Sequence, residues 1–224
     1  MNVVMPLGMR RFGILPERKP PLTIIAALRE SEQSLLLAAD SGGEETPGIR
    51  LQNEIKLRRH DNYQIAWGGS GNPQIALDFS NNLQATKRLP GTWYDCSRKI
   101  ANILGVENDR RRKAAEASGV RELPAAELTD ILLVGWINNI PEIIELSDNG
   151  GILLYLSLNQ KFHAIGTGKP YAYAAFNALS ALNRGNHLEH LKVVIGVTAR
   201  IAPQCDIPTH IWRITPTDIE EVGN

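Results

Sequence analysis

Two short apolar runs decide the fold: TIIAAL at Thr23–Leu28 and SLLLAAD at Ser34–Asp40. Apolar runs of this length between polar, turn-forming residues indicate buried β-strands. A further strand is predicted at Tyr63–Trp67, ahead of the turn sequence Gly69-Ser70-Gly71. The folded part of the chain is therefore predicted to begin with strands, and the hydroxyl-bearing Thr23 stands at the head of the first one.

Two helices are predicted next. In Asn72-Pro73 a capping residue is followed by proline at the first helical position, and apolar residues then recur at helical spacing. The second helix is predicted from near Trp93 towards Ala117. Its charged run at 109–113 is interpreted as a solvated face.

The rest of the chain is predicted to contain strands, two helices and a final strand. Predicted strands lie at 131–136, 142–146, 151–158, 162–165 and 207–214, with a hairpin turn at 148–151. One helix is predicted to begin after Gly168, and a second is predicted to span about 188–202. Strands and helices that come in blocks favour antiparallel sheets with helices on their outer faces. The predicted fold class is α+β, a four-layer αββα sandwich.

Composition narrows the classes of function. The 224 residues suffice for one sizeable domain, and the 24 basic and 24 acidic residues balance, so no net field attracts nucleic acid or an anionic membrane. No apolar run approaches the roughly 20 residues of a membrane span. The two cysteines, Cys96 and Cys205, show no metal-binding spacing and fit a reducing compartment. We expect a cytoplasmic protein without nucleic-acid or membrane partners.

The histidines predict no metal site, and no organic cofactor is expected. His60, His163 and His210 are isolated in the sequence. His187 and His190 lie three residues apart on a predicted surface helix, and are interpreted as solvent-facing rather than as ligands.

Thr23 is the candidate nucleophile. A hydroxyl nucleophile needs a base, a cation that stabilises its ionised form, a carboxylate that holds the cation, and backbone amides that receive the oxyanion. A threonine at a chain terminus supplies its own base, because its α-amine has an ordinary pKa near 8 and lies beside its Oγ. Thr23 is preceded by 22 residues. The chain is therefore divided into a leader or N-terminal arm at 1–22 and a domain at 23–224, and catalysis requires removal of the leader.

The order of Thr23, Asp40, Lys56 and the Gly69-Ser70-Gly71 turn resembles the β-type subunits of the proteasome and the related bacterial two-component ATP-dependent protease, which are N-terminal nucleophile hydrolases. The 16-residue separation of Asp40 and Lys56 matches the family, whereas Thr23 to Asp40 is one residue longer. Other local matches are Lys56-Leu57-Arg58-Arg59, Ala164-Ile165-Gly166-Thr167-Gly168, and Cys205-Asp206 with Thr209.

This resemblance implies a role for each matching residue. Thr23 Oγ would be the nucleophile, Lys56 would stabilise its ionised form, and Asp40 would hold the lysine. The Gly69 amide would be the oxyanion donor. Thr167, Asp206 and Thr209 would support the Thr23 amine, and Trp67 would line a specificity pocket. An ordinary core position is the other interpretation of Trp67.

Two features leave alternatives open. Placing Glu54 rather than Lys56 in the lysine position would put a carboxylate beside Thr23 and disable the site. Leu22 precedes Thr23 where family members with a leader usually have glycine, and self-cleavage needs a tight backbone kink that glycine tolerates best.

Three functions follow from the resemblance. The first is a threonine-type endopeptidase in a ring assembly, acting on unfolded peptide after leader removal, with an ATP-dependent unfoldase as a possible partner. The second is a non-catalytic ring or scaffold subunit, homo-oligomeric or built with related subunits, that keeps its leader. The third is a hydrolase of small amides with the same fold and nucleophile.

Overall fold

The computed structural model describes residues 23–41, 43–46, 49–51, 56–124, 127–155, 161–182, 185–202, 205 and 209–223. The predicted leader, Leu22, Glu54 and Asp206 lie outside these residues, as do the end of the strand predicted at 151–158 and the beginning of the one predicted at 207–214.

The described residues form two five-stranded antiparallel sheets, a short hairpin and four helices. The first sheet has the strand order β10-β1-β2-β11-β12, the second β5-β6-β7-β8-β9, and β3 and β4 pair only with each other. The strands are β1 Ile25–Ser31, β2 Ser34–Ala39, β3 Gly43–Thr46, β4 Ile49–Leu51, β5 Leu57–Arg59, β6 Ile65–Gly71, β7 Thr129–Ile137, β8 Ile140–Leu146, β9 Ile152–Tyr155, β10 Phe162–Ile165, β11 His210–Ile214 and β12 Ile219–Gly223. The helices are α1 Pro73–Gln84, α2 Trp93–Ala117, α3 Lys169–Leu182 and α4 His187–Ile201.

Alternation along β1 and β2 divides the core into layers. Ile25 and Leu37 face the second sheet and pack in a cluster with Ala66 and Leu132, whereas their neighbours Ala26 and Leu36 pack against α3 and α4. This pattern arises because successive side chains of a strand point to opposite faces of its sheet. On the far side of the second sheet, β6 and β7 pack against α1 and α2. The predicted four-layer αββα sandwich is confirmed.

The helix starts follow the sequence signals. The Asn72 side chain accepts hydrogen bonds from the backbone of Gln74 and Ile75, which caps α1 directly before Pro73. The second helix begins at Trp93 and ends at Ala117, as predicted, with Thr92 as its N-cap. No described helix has the length and apolar character needed to cross a membrane.

Some elements were missed in the sequence. The β3–β4 hairpin, β5 and β12 are short strands with polar residues, so their apolar periodicity is weak. Strands β7 and β8 form a hairpin at Asn138-Asn139, where both residues have positive φ (51° and 62°), the conformation that tight two-residue hairpin turns require.

The interpretation of the α4 histidines as solvent-facing was wrong for His190, which is only 9% exposed. His187 is half-buried, and its Nδ1 lies 2.9 Å from the Glu30 carbonyl oxygen. Both rings lie in the first turn of α4, which packs on the first sheet, and this packing overrides the polar character of the residues.

Candidate active site

The candidate site lies between the two sheets at one end of the sandwich. Thr23 lies two residues before the start of β1 and is 8% exposed. The antiparallel register pairs Ile25 with Ala39 at the end of β2 and with Ile165 at the end of β10. The segments that follow β2 and β10 therefore meet at Thr23, and the sequence-distant Asp40 and Thr167 come together there.

Lys56 and Asp40 form a buried ion pair next to the Thr23 hydroxyl. The Lys56 Nζ lies 2.9 Å from each carboxylate oxygen of Asp40 and 3.4 Å from Thr23 Oγ1. The side chains of Lys56 and Asp40 are 7% and 0% exposed. Asp40 also accepts a hydrogen bond of 3.0 Å from the Ile24 backbone N–H, which orients its carboxylate. A cation with little rotational freedom is thus held at the candidate nucleophile.

The loop Gly166-Thr167-Gly168 holds the backbone of Thr23 from both sides. The Thr23 nitrogen donates to Thr167 Oγ1 at 3.2 Å, and the Gly168 N–H donates to the Thr23 carbonyl oxygen, also at 3.2 Å. Gly166 has φ +90°, and a Cβ at this position would lie 2.2 Å from the Thr23 oxygen. Glycine is therefore required here both by the backbone conformation and by the close approach of two backbone segments.

Glycines on β6 bring the second sheet close to the nucleophile. A Cβ at Gly68 would lie 2.7 Å from the Ile25 side chain, so this glycine allows the two sheets to approach at β1. The register pairs Leu57 with Gly68, which makes Lys56 and Gly69 the next opposing positions. Gly69, the residue expected to supply the oxyanion donor, thus lies beside the lysine that approaches Thr23.

Two other predicted site residues have described positions. Thr209 directly precedes β11, whose His210 pairs with Ala39, so Thr209 lies at the strand end next to Asp40. Trp67 is 1% exposed and packs edge-to-face on Phe79 of α1, in the core between the second sheet and the helices. This position matches the interpretation of Trp67 as a core residue rather than as a solvent-accessible pocket wall.

Sequence reasoning missed a polar cluster behind the Gly166–Gly168 loop. Buried Glu145 on β8 contacts His163 on β10, and His163 in turn contacts Tyr173 on α3. These residues belong to three elements, and no local motif links them. An acid and a histidine next to apolar residues, Glu145 in Ile143-Ile144-Glu145-Leu146 and His163 in Phe162-His163-Ala164-Ile165, are the sequence signal that could have drawn attention to them.

The same fold occurs in solved structures of low sequence identity. Anbu (ancestral β-subunit) from Yersinia bercovieri superposes with a TM-score of 0.69 and 14% identity over 90% of this chain and 88% of that one. Eukaryotic HslV from Trypanosoma brucei gives 0.63 and 16%, covering 86% and 99% of the two chains. Thiobacillus denitrificans BPH in complex with epoxomicin gives 0.61 and 17%, covering 88% and 100%.

The chain has a proteasome-like fold. The predicted resemblance to N-terminal nucleophile hydrolases is confirmed at the level of architecture. No protein-family model matches the sequence, and no match is found among curated proteins. At identities of 14–17% the likeness shows the fold alone.

Proposed function

We propose that the chain is a threonine-type endopeptidase subunit of a ring assembly, in which Thr23 cleaves peptide bonds after residues 1–22 are removed. The observation that carries the proposal is the position of Lys56, whose ammonium group lies 3.4 Å from Thr23 Oγ1 while both oxygens of Asp40 hold it. Burying such a pair costs desolvation energy, which apolar residues at these positions would avoid. A role in ionising the hydroxyl accounts for its presence.

The reaction begins with attack on the peptide carbonyl. Thr23 Oγ forms a bond to the carbonyl carbon while its proton passes to the α-amine of Thr23, and Lys56 stabilises the developing negative charge on Oγ. The Gly69 amide is the proposed donor to the oxyanion. Collapse of the tetrahedral intermediate breaks the C–N bond, and the leaving amine takes the proton from the α-ammonium group.

Water completes the cycle. It attacks the ester on Thr23 and gives its proton to the α-amine, and that proton passes to Oγ when the acid product leaves. In the full-length chain the nitrogen that donates to Thr167 Oγ1 is a peptide nitrogen without basicity. After cleavage before Thr23 the same nitrogen becomes the base, and Thr167 is placed to orient it.

The sequence before Thr23 favours a second candidate, a non-catalytic ring subunit. Leu22 lacks the backbone freedom of glycine, which hinders the kink needed for self-cleavage. If the leader stays attached, Thr23 has no local base. A ring of identical or related subunits, with unfolded peptide delivered by an ATP-dependent unfoldase, is the assembly that suits the active form.

Covalent labelling tests the proposal. The purified protein is incubated with a peptide epoxyketone and analysed by peptide mass spectrometry. We expect an adduct on Thr23, none in Thr23→Ala, and full labelling in the matched control Thr217→Ala, whose residue is exposed in a turn. Equal labelling of the wild type and Thr23→Ala would contradict the proposed nucleophile.

A further inference from the structure

Four polar side chains form a connected cluster behind the loop that holds Thr23. His163 on β10 is 4% exposed, and its Nε2 contacts Oε2 of Glu145 on β8 of the other sheet. Its Nδ1 lies 2.7 Å from the Tyr173 hydroxyl on α3. Lys169, the first residue of α3, has its Nζ 3.6 Å from the same Glu145 oxygen. We call these residues the Glu145 cluster.

The cluster is attached to both ends of the Gly166–Gly168 loop. His163 lies in the strand that leads into the loop, and Lys169 follows Gly168 directly. Both side chains converge on Glu145, which belongs to the second sheet. The loop that bonds the nitrogen and the oxygen of Thr23 is thus fixed to the opposite sheet through one carboxylate.

The charges of the cluster support this arrangement. Burial alone would raise the pKa of Glu145, but the hydrogen bond and charge of His163, together with Lys169, outweigh it and hold the pKa below its ordinary value. Burial, aided by the charge of Glu145, raises the pKa of Tyr173, although the backbone at Ala164 acts in the opposite direction. Tyr173 therefore keeps its proton at neutral pH, and both ring nitrogens of His163 have a partner, the Tyr173 hydroxyl at Nδ1 and Glu145 Oε2 at Nε2.

The proposed reaction uses no member of the cluster directly. Apolar side chains could fill this space without the cost of burying a carboxylate, an imidazole and a phenol hydroxyl. Hydrogen bonds differ from apolar contacts in being directional, so they fix the orientation of the loop as well as its distance from the second sheet.

We propose that Glu145, His163 and Tyr173 are positioning residues, which hold Thr167 and Gly168 where they bond the backbone of Thr23. This inference rests on the proposed peptidase function for its kinetic consequence, but the positioning itself can be measured without activity. The hydrogen bonds of Thr23 in the described structure go to Thr167, Gly168 and Lys56, so Glu145, His163 and Tyr173 act through the loop.

The test compares Tyr173→Phe with a matched control. Tyr173→Phe removes the hydroxyl and retains the ring, which packs edge-to-face on Phe162 with ring centroids 5.2 Å apart. The control is Tyr171→Phe, two residues away on the same helix with a side chain that is 44% exposed. Hydrogen exchange of the full-length protein is followed by mass spectrometry in peptides covering 163–173, with β1 peptides as the internal reference.

We expect exchange at 163–173 to become about five- to tenfold faster in Tyr173→Phe, the effect of losing roughly one hydrogen bond, while β1 exchange and the control stay unchanged. With the active enzyme, kcat should fall by a similar factor at unchanged KM. His163→Gln should increase the exchange at 163–173 more than Tyr173→Phe does, because it removes the imidazole contact with Glu145 as well as the one with Tyr173.

Two results would overturn the positioning role. One is unchanged loop exchange in Tyr173→Phe; the other is an increase equal to that of β1, which would mean a loss of global stability only. If the wild type has no peptidase activity but Tyr173→Phe shows the predicted faster exchange at 163–173, the proposed function is refuted and the positioning role stands. If the wild type is an active peptidase but Tyr173→Phe leaves the exchange at 163–173 unchanged, the positioning role is refuted and the proposed function stands.

Discussion

At the residue scale, the candidate site depends on a few charged side chains that are buried despite the cost of desolvation. Asp40 is inaccessible to solvent and Lys56 nearly so, and each satisfies the other while Asp40 also binds the backbone beside Thr23. The sequence could predict this pair, because the spacing from Asp40 to Lys56 matches a known pattern. The sequence alone left Glu54 as an alternative to Lys56 at the position beside Thr23. Lys56 Nζ lies 3.4 Å from Thr23 Oγ1, and Glu54 lies outside the described residues.

Removal of the lysine should harm both stability and catalysis. In Lys56→Met the Asp40 carboxylate stays buried without its cation, so we expect the free energy of unfolding to fall by about 3 kcal/mol or more. The control Lys87→Met alters an exposed lysine and should change it by less than about 0.5 kcal/mol. Urea denaturation followed by fluorescence measures both. Equal stability of the two variants would show that the pair is not formed in solution.

The acidic limb of the stability curve tests the charge on Glu145. Its folded-state pKa lies below the ordinary 4.5, so its contribution is present above about pH 4.5 and is lost as the pH falls through the lower folded value. The stability gap between wild type and Glu145→Gln should therefore be constant near neutrality and close in acid. Melting temperatures measured from pH 7 down to pH 3 report this gap.

Glu142 on the same strand provides a control of opposite sign. Burial raises the pKa of Glu142, despite the opposing charge of Arg29, so its ionised form costs stability above the ordinary pKa. Glu142→Gln should gain stability relative to wild type as the pH rises from acid to neutral. If both variants showed the same dependence on pH, the assigned charges would be wrong.

At the element scale, strands and helices with strong apolar periodicity could be predicted, as could the hairpin turn at 148–151 between β8 and β9, whereas the short polar strands could not. The position of α1 followed from its capping residue and its apolar repeat, whereas the β3–β4 hairpin and β12 have too few apolar residues for a clear period. The Glu145 cluster was missed because its partners are 18 and 10 residues apart on different elements. Pairing across two sheets is a tertiary property that no local pattern encodes.

The Gly166–Gly168 loop supplies the prediction at this scale. Gly166→Ala introduces a Cβ at a φ of +90° and 2.2 Å from the Thr23 oxygen, so the loop must move away from Thr23. Gly119→Ala is the control, since Gly119 has a φ of +82° with nothing within 4 Å of the added atom. It should cost only the backbone strain, about 1 kcal/mol.

We expect Gly166→Ala to lose clearly more stability than Gly119→Ala and to lose labelling of Thr23 as well. Thermal unfolding and epoxyketone labelling of the two variants provide the comparison. Similar losses in both would mean that the backbone contact at Thr23 is unimportant.

At the scale of the whole molecule, the grouping of strands and helices was enough to predict four layers, because few layered arrangements of blocks of strands and helices bury all their apolar faces. Function is less determined by that architecture. In this chain an ion pair, a hydroxyl and a glycine loop lie at one end of two facing sheets, and in the proposed function the release of the Thr23 amine is what makes this arrangement catalytic.

Mass spectrometry of the assembled, full-length gene product after reaction with a peptide epoxyketone tests this step most directly, since one spectrum reports both the N-terminus and the modified residue. The account predicts a chain that begins at Thr23 and carries the adduct on that residue. An unmodified chain that still contains residues 1–22 would contradict it.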